Sequence, residues 1–319
     1  MVEKRRIGDS TIEVAPLALG GNVFDWTADE RTSFAVLDAF VDAGGNMIDT
    51  ADVYSAWVPG HHGGESEALI GRWLKRDPKK RDKVIIATKV GMMNGLGRDV
   101  ITRACDASLQ RLGIERIDLY YQHQDDPKVP LEKSLEAFQR LREEGKIRTI
   151  GLSNFTAPRI DEAFEAATTL GITAPVALQP WYNLVERQRY EAELQSAARR
   201  HGLGVFPYYS LANGFLTGKY RNKEDLGKSP RGQRVTGYLE GNGMRVLEAL
   251  DEISRETDAA LATISLAWLM AQPTIVAPFA SATSVEQLKE LTAARELKLS
   301  EDQIRRLDEA SVQLEPAAA

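Results

Sequence analysis

Residues able to do acid–base chemistry follow several apolar segments of this sequence. "NMID" ends at Asp49 with Tyr54 a little further on, "VIIATK" ends at Lys89, and "DLYYQH" ends at His123. A tyrosine, with a pKa of about 10, is a weak acid and a weak base at neutral pH, and a neighbouring cation lowers that pKa. We expect Lys89 to supply this cation and Asp49 to keep it charged as a counter-ion. His123, close to neutral at physiological pH, can donate a hydrogen bond to a reacting oxygen.

Other apolar segments end in the same way. Their last residues are Ser153 and Asn154 in "IRTIGLSN", Gln179 in "PVALQ", Tyr208 in "LGVFPY", and Gly20 and Gly21 in "VAPLALG". In a barrel of parallel strands, all carboxyl ends open on one face, and that face holds the active site. Core packing does not explain polar groups that recur at the same end, because burying them unpaired in apolar surroundings costs free energy. The sequence therefore predicts one site assembled from separate strands.

The segments that carry these residues alternate with longer stretches of helical period. Roughly eight such strand–helix units predict an α/β fold, a (β/α)8 TIM barrel, as a single domain over residues 1–319. "RRIGDSTIEV" predicts an N-terminal β-hairpin, and "LSEDQIRRLDEASVQL" predicts an extra C-terminal helix capped by Ser300. Residues 212–242 are charged and Gly-rich, and we predict a long loop, functional or mobile, on the active-site face.

Composition and charge exclude several classes of partner. The net charge is 40 − 46 = −6 with both signs interspersed, which argues against a nucleic-acid or anionic-membrane surface. The basic start lacks an apolar stretch, and no apolar run is long enough to span a bilayer, so neither a secretory signal nor a membrane segment is predicted. The single cysteine, Cys105, cannot form an internal disulfide, which fits a reducing cytoplasm. The oligomeric state is left open.

Familiar cofactor and metal motifs are missing from the sequence. There is no GxGxxG after a strand, no GxxxxGK[ST], no GxSxG, no HExxH and no CxxC. His61 and His62 are adjacent in a Gly-rich loop, whereas metal ligands must converge on one point. We therefore predict no metal site.

Five fragments, "NMIDTADVY", "ATKVG", "DLYYQH", "GLSNF" and "LTGKY", together resemble the aldo-keto reductase family over nearly the whole chain. The resemblance implies a barrel that binds NADP(H) without a Rossmann fingerprint and reversibly reduces an aldehyde or ketone to an alcohol by hydride transfer. Tyr54 is then the general acid in reduction and the base in oxidation, tuned by Lys89 and Asp49. Tyr54 and His123 together polarise the carbonyl oxygen as negative charge develops.

The resemblance also implies a cofactor site. Ser153, Asn154 and Gln179 match positions that bind the nicotinamide carboxamide, and Tyr208 matches an aromatic residue that stacks on the ring. The remaining cofactor residues are Gly21 and Asn22 near the first strand, Ser210, Leu211, Gly214 and Lys219 around the pyrophosphate, and Ser281, Ser284, Gln287 and Glu290 around the adenosine 2′-phosphate. Trp26, Trp57 and Trp181 are expected to shape the substrate pocket, although each could simply anchor its loop.

Several alternatives stay open. The adenosine segment lacks a basic residue for the phosphate, so we expect NADPH to be preferred with measurable use of NADH. Some proteins of this fold, such as potassium-channel β-subunits, serve as cofactor-binding regulatory subunits with little turnover. An unrelated barrel enzyme such as an isomerase, which would not bind nicotinamide, is a third reading. The substrate and the direction of reaction in the cell stay open.

Overall fold

The computed structural model describes residues 2–312, so both ends of the predicted domain lie outside the described residues. Its strands are β1 Arg5–Arg6, β2 Glu13–Val14, β3 Ala18–Gly20, β4 Met47–Asp49, β5 Ile85–Val90, β6 Ile117–Gln122, β7 Ile147–Ser153, β8 Ala177–Gln179, β9 Gly204–Val205 and β10 Phe279–Ala280. Strands β3 to β10 form one parallel sheet in the order β10-β3-β4-β5-β6-β7-β8-β9. A parallel bridge between Val205 and Ile275 joins β9 to the segment that leads into β10, which closes the sheet. The predicted (β/α)8 barrel is confirmed.

Helices connect successive strands around the barrel. They are α1 Glu30–Asp42, α2 Glu65–Arg76, α3 Arg98–Leu112, α4 Leu131–Glu143, α5 Ala157–Leu170, α6 Gln195–Arg200, α7 Gly243–Thr257, α8 Leu261–Ala271, α9 Val285–Ala293 and α10 Glu301–Ser311. Helix α1 shows how the sequence sets them: the Asp29 side chain caps its first turn, and Phe34, Leu37 and Phe40 bury one face. Within residues 2–312, no helix is both long and apolar enough to span a bilayer.

Both predicted additions to the barrel are confirmed. Strands β1 and β2 pair as an antiparallel hairpin, whose turn brings Gly8 against the backbone just before β8 and β9. A Cβ on Gly8 would lie 2.5 Å from the Val176 carbonyl oxygen, so the close approach requires glycine. Helix α10 begins at Ser300, which forms a reciprocal capping box with Gln303. The hairpin covers the amino-terminal end of the barrel and leaves the site to the other end.

Strand periodicity aims the acid–base residues into the barrel. The interior apolar cluster contains Met47, Ala87, Tyr121 and Ala177, whereas Ile86 belongs to the cluster under the helices. Side chains two positions apart lie on the same face of a strand. Asp49, Lys89, His123 and Gln179 each follow one of these interior residues by two positions, and so belong to the same interior column at its carboxyl end.

Residues 212–242, which we call the long loop, carry short structure of their own. They contain 3₁₀ segments at Ala212–Thr217, Lys223–Lys228 and Gly232–Leu239. Arg221 forms two hydrogen bonds to Asp251 on α7, at 2.7 and 2.8 Å, which ties the loop to the barrel wall. The long loop therefore has regular structure of its own and is held against the barrel.

Candidate active site

Lys89 is the buried centre of the candidate site. Its Nζ lies 2.6 Å from Asp49 Oδ2, 2.7 Å from the Thr50 carbonyl oxygen and 2.9 Å from Tyr54 Oη. Three partners use the three N–H groups of an ammonium, whereas a neutral amine has only two to donate. Burial lowers the pKa of Lys89 and the nearby Asp49 carboxylate opposes that change. The geometry therefore corresponds to a charged lysine.

Asp49 balances this charge from the end of β4. Its Oδ2 accepts from Lys89 and, at 3.1 Å, from the Tyr54 hydroxyl, while its Oδ1 accepts from Gln179 Nε2 at 3.1 Å. Burial raises the pKa of Asp49, and the Lys89 ammonium opposes the rise. A buried ion pair is tolerated only when its remaining lone pairs and protons find partners, which is the case here.

Tyr54 corrects one sequence-based expectation. We expected Lys89 to lower the tyrosine pKa, but burial and then the Asp49 carboxylate raise the pKa of Tyr54 well above its ordinary value. The reason is that the phenol donates its proton to Asp49 while it accepts from Lys89, so both charges act on it, and burial disfavours the phenolate. Tyr54 is therefore held protonated, which is the form that a proton donor requires.

His123 stands beside Tyr54 as a neutral imidazole. Its ring centroid lies 6.2 Å from that of Tyr54 in an edge-to-face arrangement. Burial, and then the Lys89 charge, lower the pKa of His123 well below its ordinary value, in agreement with the expected neutral form. Its Nδ1 is buried and has no hydrogen-bond partner within residues 2–312. One ring nitrogen carries a hydrogen in the neutral form, so the ring can donate a single hydrogen bond.

The residues predicted to hold a nicotinamide ring lie beside Asp49, Tyr54, Lys89 and His123. Hydrogen bonds join them to one another. Asn154 has a left-handed backbone (φ +55°) at the end of β7; its Nδ2 donates to the His123 carbonyl oxygen at 2.8 Å, and its Oδ1 accepts from Tyr208 Oη at 2.7 Å. Ser153 Oγ donates to the Gln179 carbonyl oxygen at 3.0 Å. These bonds fix the carboxyl ends of β6, β7 and β8 and the residues after β9 against one another.

A second group of polar residues lies where β10 meets α9. Ser281 Oγ donates to Asn22 Oδ1 at 2.8 Å, and Gln287 Oε1 accepts from the Thr283 backbone at 2.9 Å. Ser284 caps α9 by accepting from the Gln287 backbone at 3.2 Å. A Cβ on Gly20 would lie 2.7 Å from Ser281 Oγ, so this contact needs a glycine at the end of β3.

One cavity of about 970 Å³ joins these two groups. The predicted residues on its wall are Asn22, Asp49, Tyr54, Trp57, His123, Ser153, Asn154, Gln179, Tyr208, Ser210, Leu211, Gly214, Lys219, Ser281, Gln287 and Glu290. Its size is near the upper end for small-molecule sites, about 300–1,000 Å³, and its wall joins the two polar groups described above. The residues present therefore fit a nicotinamide dinucleotide.

Five predicted residues do not line this cavity. Lys89 lies fully buried behind Tyr54, and Gly21 packs on the Asp49 backbone, to whose oxygen its N–H donates at 2.7 Å. Ser284 acts as a helix cap. Trp26 packs edge-on against Trp57 rather than on the cavity wall, and Trp181 packs behind Tyr208, with ring centroids 6.5 Å apart.

Comparison with known proteins decides the family. The sequence profile of the Aldo/keto reductase family matches residues 16–312. The chain belongs to the aldo/keto reductase family. It is 33% identical to an uncharacterized oxidoreductase, YrpG, of Bacillus subtilis, covering 97% of this chain and 95% of that protein. It is 31% identical to the aldo-keto reductase yakc [NADP(+)] of Schizosaccharomyces pombe, covering 97% and 91%. It is also 31% identical to a putative voltage-gated potassium channel subunit beta of the same yeast, covering 96% and 92%.

The predicted resemblance to aldo-keto reductases is thus confirmed. Membership makes the chain an NAD(P)H-dependent oxidoreductase. The names of its relatives include both enzymes and channel subunits.

Sequence reasoning missed two charged residues of this aldo/keto reductase. Arg231, in the long loop, lines the cavity, although no residue between 220 and 242 was singled out. Asp52 lies between Asp49 and Tyr54 in the chain, and its Oδ1 is buried without a hydrogen-bond partner in residues 2–312. The aspartate in "DTADVY" was a visible signal, because a second carboxylate so near the barrel interior is a candidate for an unusual pKa.

Asp52 gives a prediction for stability against pH. Burial, and then the neighbouring Glu67 carboxylate, raise the pKa of Asp52 from 3.8 to about 7. The folded state then binds the Asp52 proton more tightly than the unfolded chain does. The free energy of unfolding therefore falls as pH rises from about 4 to 7, by up to roughly 4 kcal/mol. We expect Asp52→Asn to lose less stability than the wild type between pH 5 and pH 8.

Urea unfolding at pH 5, 6, 7 and 8 measures this difference. Asp82→Asn, at an exposed aspartate, is the matched control and should follow the wild type. If the free energy of unfolding changes with pH in the same way for wild type and Asp52→Asn, the Asp52 carboxyl does not titrate in this range.

Proposed function

We propose that this chain reduces an aldehyde or ketone to an alcohol, reversibly, with NADPH as the hydride donor. The observation that carries the proposal is the fully buried Lys89, hydrogen-bonded to both Asp49 and Tyr54, with Tyr54 at the cavity wall. A charged lysine under a protonated tyrosine is an arrangement for giving up and regaining a proton, which carbonyl reduction requires.

When bound, the nicotinamide cofactor supplies the hydride that adds to the carbonyl carbon. Tyr54 then gives its proton to the carbonyl oxygen, turning its hydroxyl away from Asp49. The Lys89 ammonium, 2.9 Å from the phenol oxygen, stabilises the phenolate that remains. His123 donates its one N–H to the same oxygen while negative charge develops there. In oxidation the phenolate takes the proton back from the alcohol.

The same proposal assigns the cofactor contacts. Ser153, Asn154 and Gln179 would hold the nicotinamide end, with Tyr208 stacked on the ring. Asn22 would contact the cofactor near the end of the first strand, and the long-loop residues named above would cover the pyrophosphate. The N–H groups at the start of α9 would receive the 2′-phosphate, because a helix amino terminus favours an anion. We also propose that the protein acts in the cytoplasm, because Cys105 is a buried free thiol and suits a reducing compartment.

Steady-state NADPH oxidation against a panel of aldehydes, ketones and sugars tests the function. We expect turnover on at least one class, with NADPH bound in the absence of substrate. The channel-subunit relative supplies the competing reading, a cofactor-binding regulatory subunit. Tight NADPH binding with no turnover on any member of the panel would favour that reading, and no binding at all would contradict both.

The choice of nucleotide is a separate expectation. A 2′-phosphate carries up to about −2 charge, but the residues facing its proposed site are neutral at Ser281 and Gln287 and acidic at Glu290. We therefore expect kcat/KM to favour NADPH by a modest factor, with NADH measurably used. Ser281→Arg should widen that factor, because arginine binds phosphate through two parallel hydrogen bonds.

The panel assay run with both nucleotides at low salt measures this preference. Ser281→Gln is the matched control, since it adds bulk without charge. A wild type that uses NADH better contradicts the assignment. Discrimination above roughly 10³-fold, about 4 kcal/mol, would mean that another cation contacts the phosphate.

A further inference from the structure

Exposed apolar side chains gather beside the proton donor. The large apolar side chains that are exposed within residues 2–312 are Trp57, Met92, Met93 and Val312. Trp57 and Met92 line the cavity, and Met93 follows Met92 in the chain. We call Trp57, Met92 and Met93 the apolar rim. Single apolar side chains on a surface are ordinary, whereas a group of them at a cavity marks a binding surface.

The loop after β5 is folded so that it presents the two methionines. Gly91 and Gly95 have left-handed backbones, with φ of +115° and +76°, and the Gly95 N–H donates to the Gly91 carbonyl oxygen at 3.1 Å. Leu96 is buried under this turn, and its N–H donates to Asp126 Oδ2 at 2.9 Å. Because Leu96 anchors the loop, both methionines stay on its outer side, 41% and 47% exposed.

The loop after β4 completes the apolar rim. The Trp57 ring lies edge-on to the Tyr54 ring, with centroids 6.2 Å apart, and edge-on to Trp26 at 5.5 Å. A Cβ on Gly63 would lie 3.4 Å from Met93 Sδ, so Met93 packs on this same loop. The loops after β4 and β5 therefore meet here, and together they bring apolar side chains to the Tyr54 side of the cavity.

Charge is distributed unevenly around the cavity wall. Outside the catalytic and cofactor candidates, the loops after β3, β4, β5 and β6 contribute Val23, Thr27, Val53, Trp57, Met92 and Gln124, which are all uncharged. Apart from Asp49, which is paired with Lys89, the charged residues on the wall follow β8, β9 and β10: Arg189, Lys219, Lys228, Arg231 and Glu290. The side of the cavity that carries the apolar rim therefore suits an uncharged, apolar ligand.

We propose that the apolar rim binds the body of the carbonyl substrate, so that the preferred substrates are aldehydes or ketones carrying an alkyl chain or an aromatic ring. This deepens, and rests on, the proposed function. A sugar carries many hydroxyl groups, and among the uncharged wall residues only Thr27 and Gln124 could pair with them, so binding it here would leave polar groups unpaired. Methionine side chains adapt to the shape of their ligand, so selection is by apolar length rather than by one fixed shape.

A series of straight-chain aldehydes tests the proposal, because butanal, hexanal and octanal share one reacting group. At saturating NADPH, we expect wild-type kcat/KM to rise by about two- to fourfold for each added methylene, the range that burial of a CH₂ group supplies. Met92→Gln and Trp57→Gln should each lower the octanal-to-butanal ratio by roughly 10-fold, since an amide replaces apolar surface. Met92→Leu, which stays apolar, should keep the ratio.

Val312→Gln is the matched control, because it makes the same kind of change at an exposed apolar residue outside the cavity wall. It should leave the octanal-to-butanal ratio unchanged. A wild-type ratio near one overturns the proposal. A ratio that Met92→Gln and Trp57→Gln both leave unchanged also overturns it, because the alkyl chain then lies against another wall.

A final measurement keeps this test separate from the proposed function. If no carbonyl is turned over, the proposed function fails, and the dissociation constants of the same aldehydes for the NADPH-loaded protein are measured by tryptophan fluorescence instead. Binding that tightens with chain length, and does so less in Met92→Gln but not in Val312→Gln, would still support the apolar rim as a ligand site. The same dependence on chain length in all three proteins would overturn it.

Discussion

Replacing Tyr54 by phenylalanine is expected to lower kcat by about 10²- to 10⁴-fold, the range of a lost general acid. The substitution removes the hydroxyl that accepts from Lys89 and donates to Asp49, and leaves the ring in place against Trp57 and His123. Affinity for NADPH should change by less than about twofold, because no predicted cofactor contact is lost. Stopped-flow single turnovers and a fluorescence titration with NADPH measure the two quantities.

Tyr209→Phe is the matched control for this prediction. Tyr209 lines the same cavity and has no hydrogen bond to Lys89 or Asp49, so its loss should leave the chemical step intact. A Tyr54→Phe enzyme that keeps more than a tenth of the wild-type rate would remove Tyr54 from its proposed role.

Lys89→Met is expected to reduce kcat as severely as Tyr54→Phe. The substitution removes the positive charge 2.9 Å from the phenol oxygen, so the phenolate formed on proton transfer is no longer stabilised. It also leaves the Asp49 carboxylate buried without a counter-ion, which typically costs about 3–5 kcal/mol of stability. Activity and urea unfolding are therefore measured on the same preparation.

The double variant distinguishes a shared role from two separate ones. Residues that act as a unit give non-additive losses, so Tyr54→Phe with Lys89→Met should be little slower than either single variant. Losses that multiply would show that the lysine acts on some group other than the tyrosine. Lys146→Met, at a lysine whose ion pairs lie on the surface, controls for loss of a charge as such.

The barrel and its inward-facing residues were predictable because strand geometry has a fixed period. Once "NMID", "VIIATK" and "DLYYQH" are read as strands, alternation places Asp49, Lys89 and His123 on one interior column whatever the helices do. The pairing of Lys89 with Asp49 then follows from the cost of burying either charge alone. These inferences need only local sequence and elementary electrostatics.

Other properties depend on distances that sequence does not contain. The pKa of Tyr54 was predicted in the wrong direction because burial, and then the Asp49 carboxylate to which the phenol donates, raise it, and sequence alone shows neither the depth of the phenol nor this contact. The positions of Trp26 and Trp181 depend on how each loop folds back, and so does the placement of Arg231. Loop residues have no periodicity to fix their direction.

The bond from Gln179 Nε2 to Asp49 Oδ1 joins residues 130 positions apart in the chain. It holds the amide nitrogen toward the Asp49 carboxylate, so the orientation of Gln179 depends on the charge of Asp49. Ligand binding at Gln179 and proton binding at Asp49, Lys89 and Tyr54 therefore belong to one thermodynamic cycle. A ligand that Gln179 binds therefore changes the proton affinity of Asp49, Lys89 and Tyr54. By reciprocity, protonation of these residues changes the affinity for the ligand by the same factor.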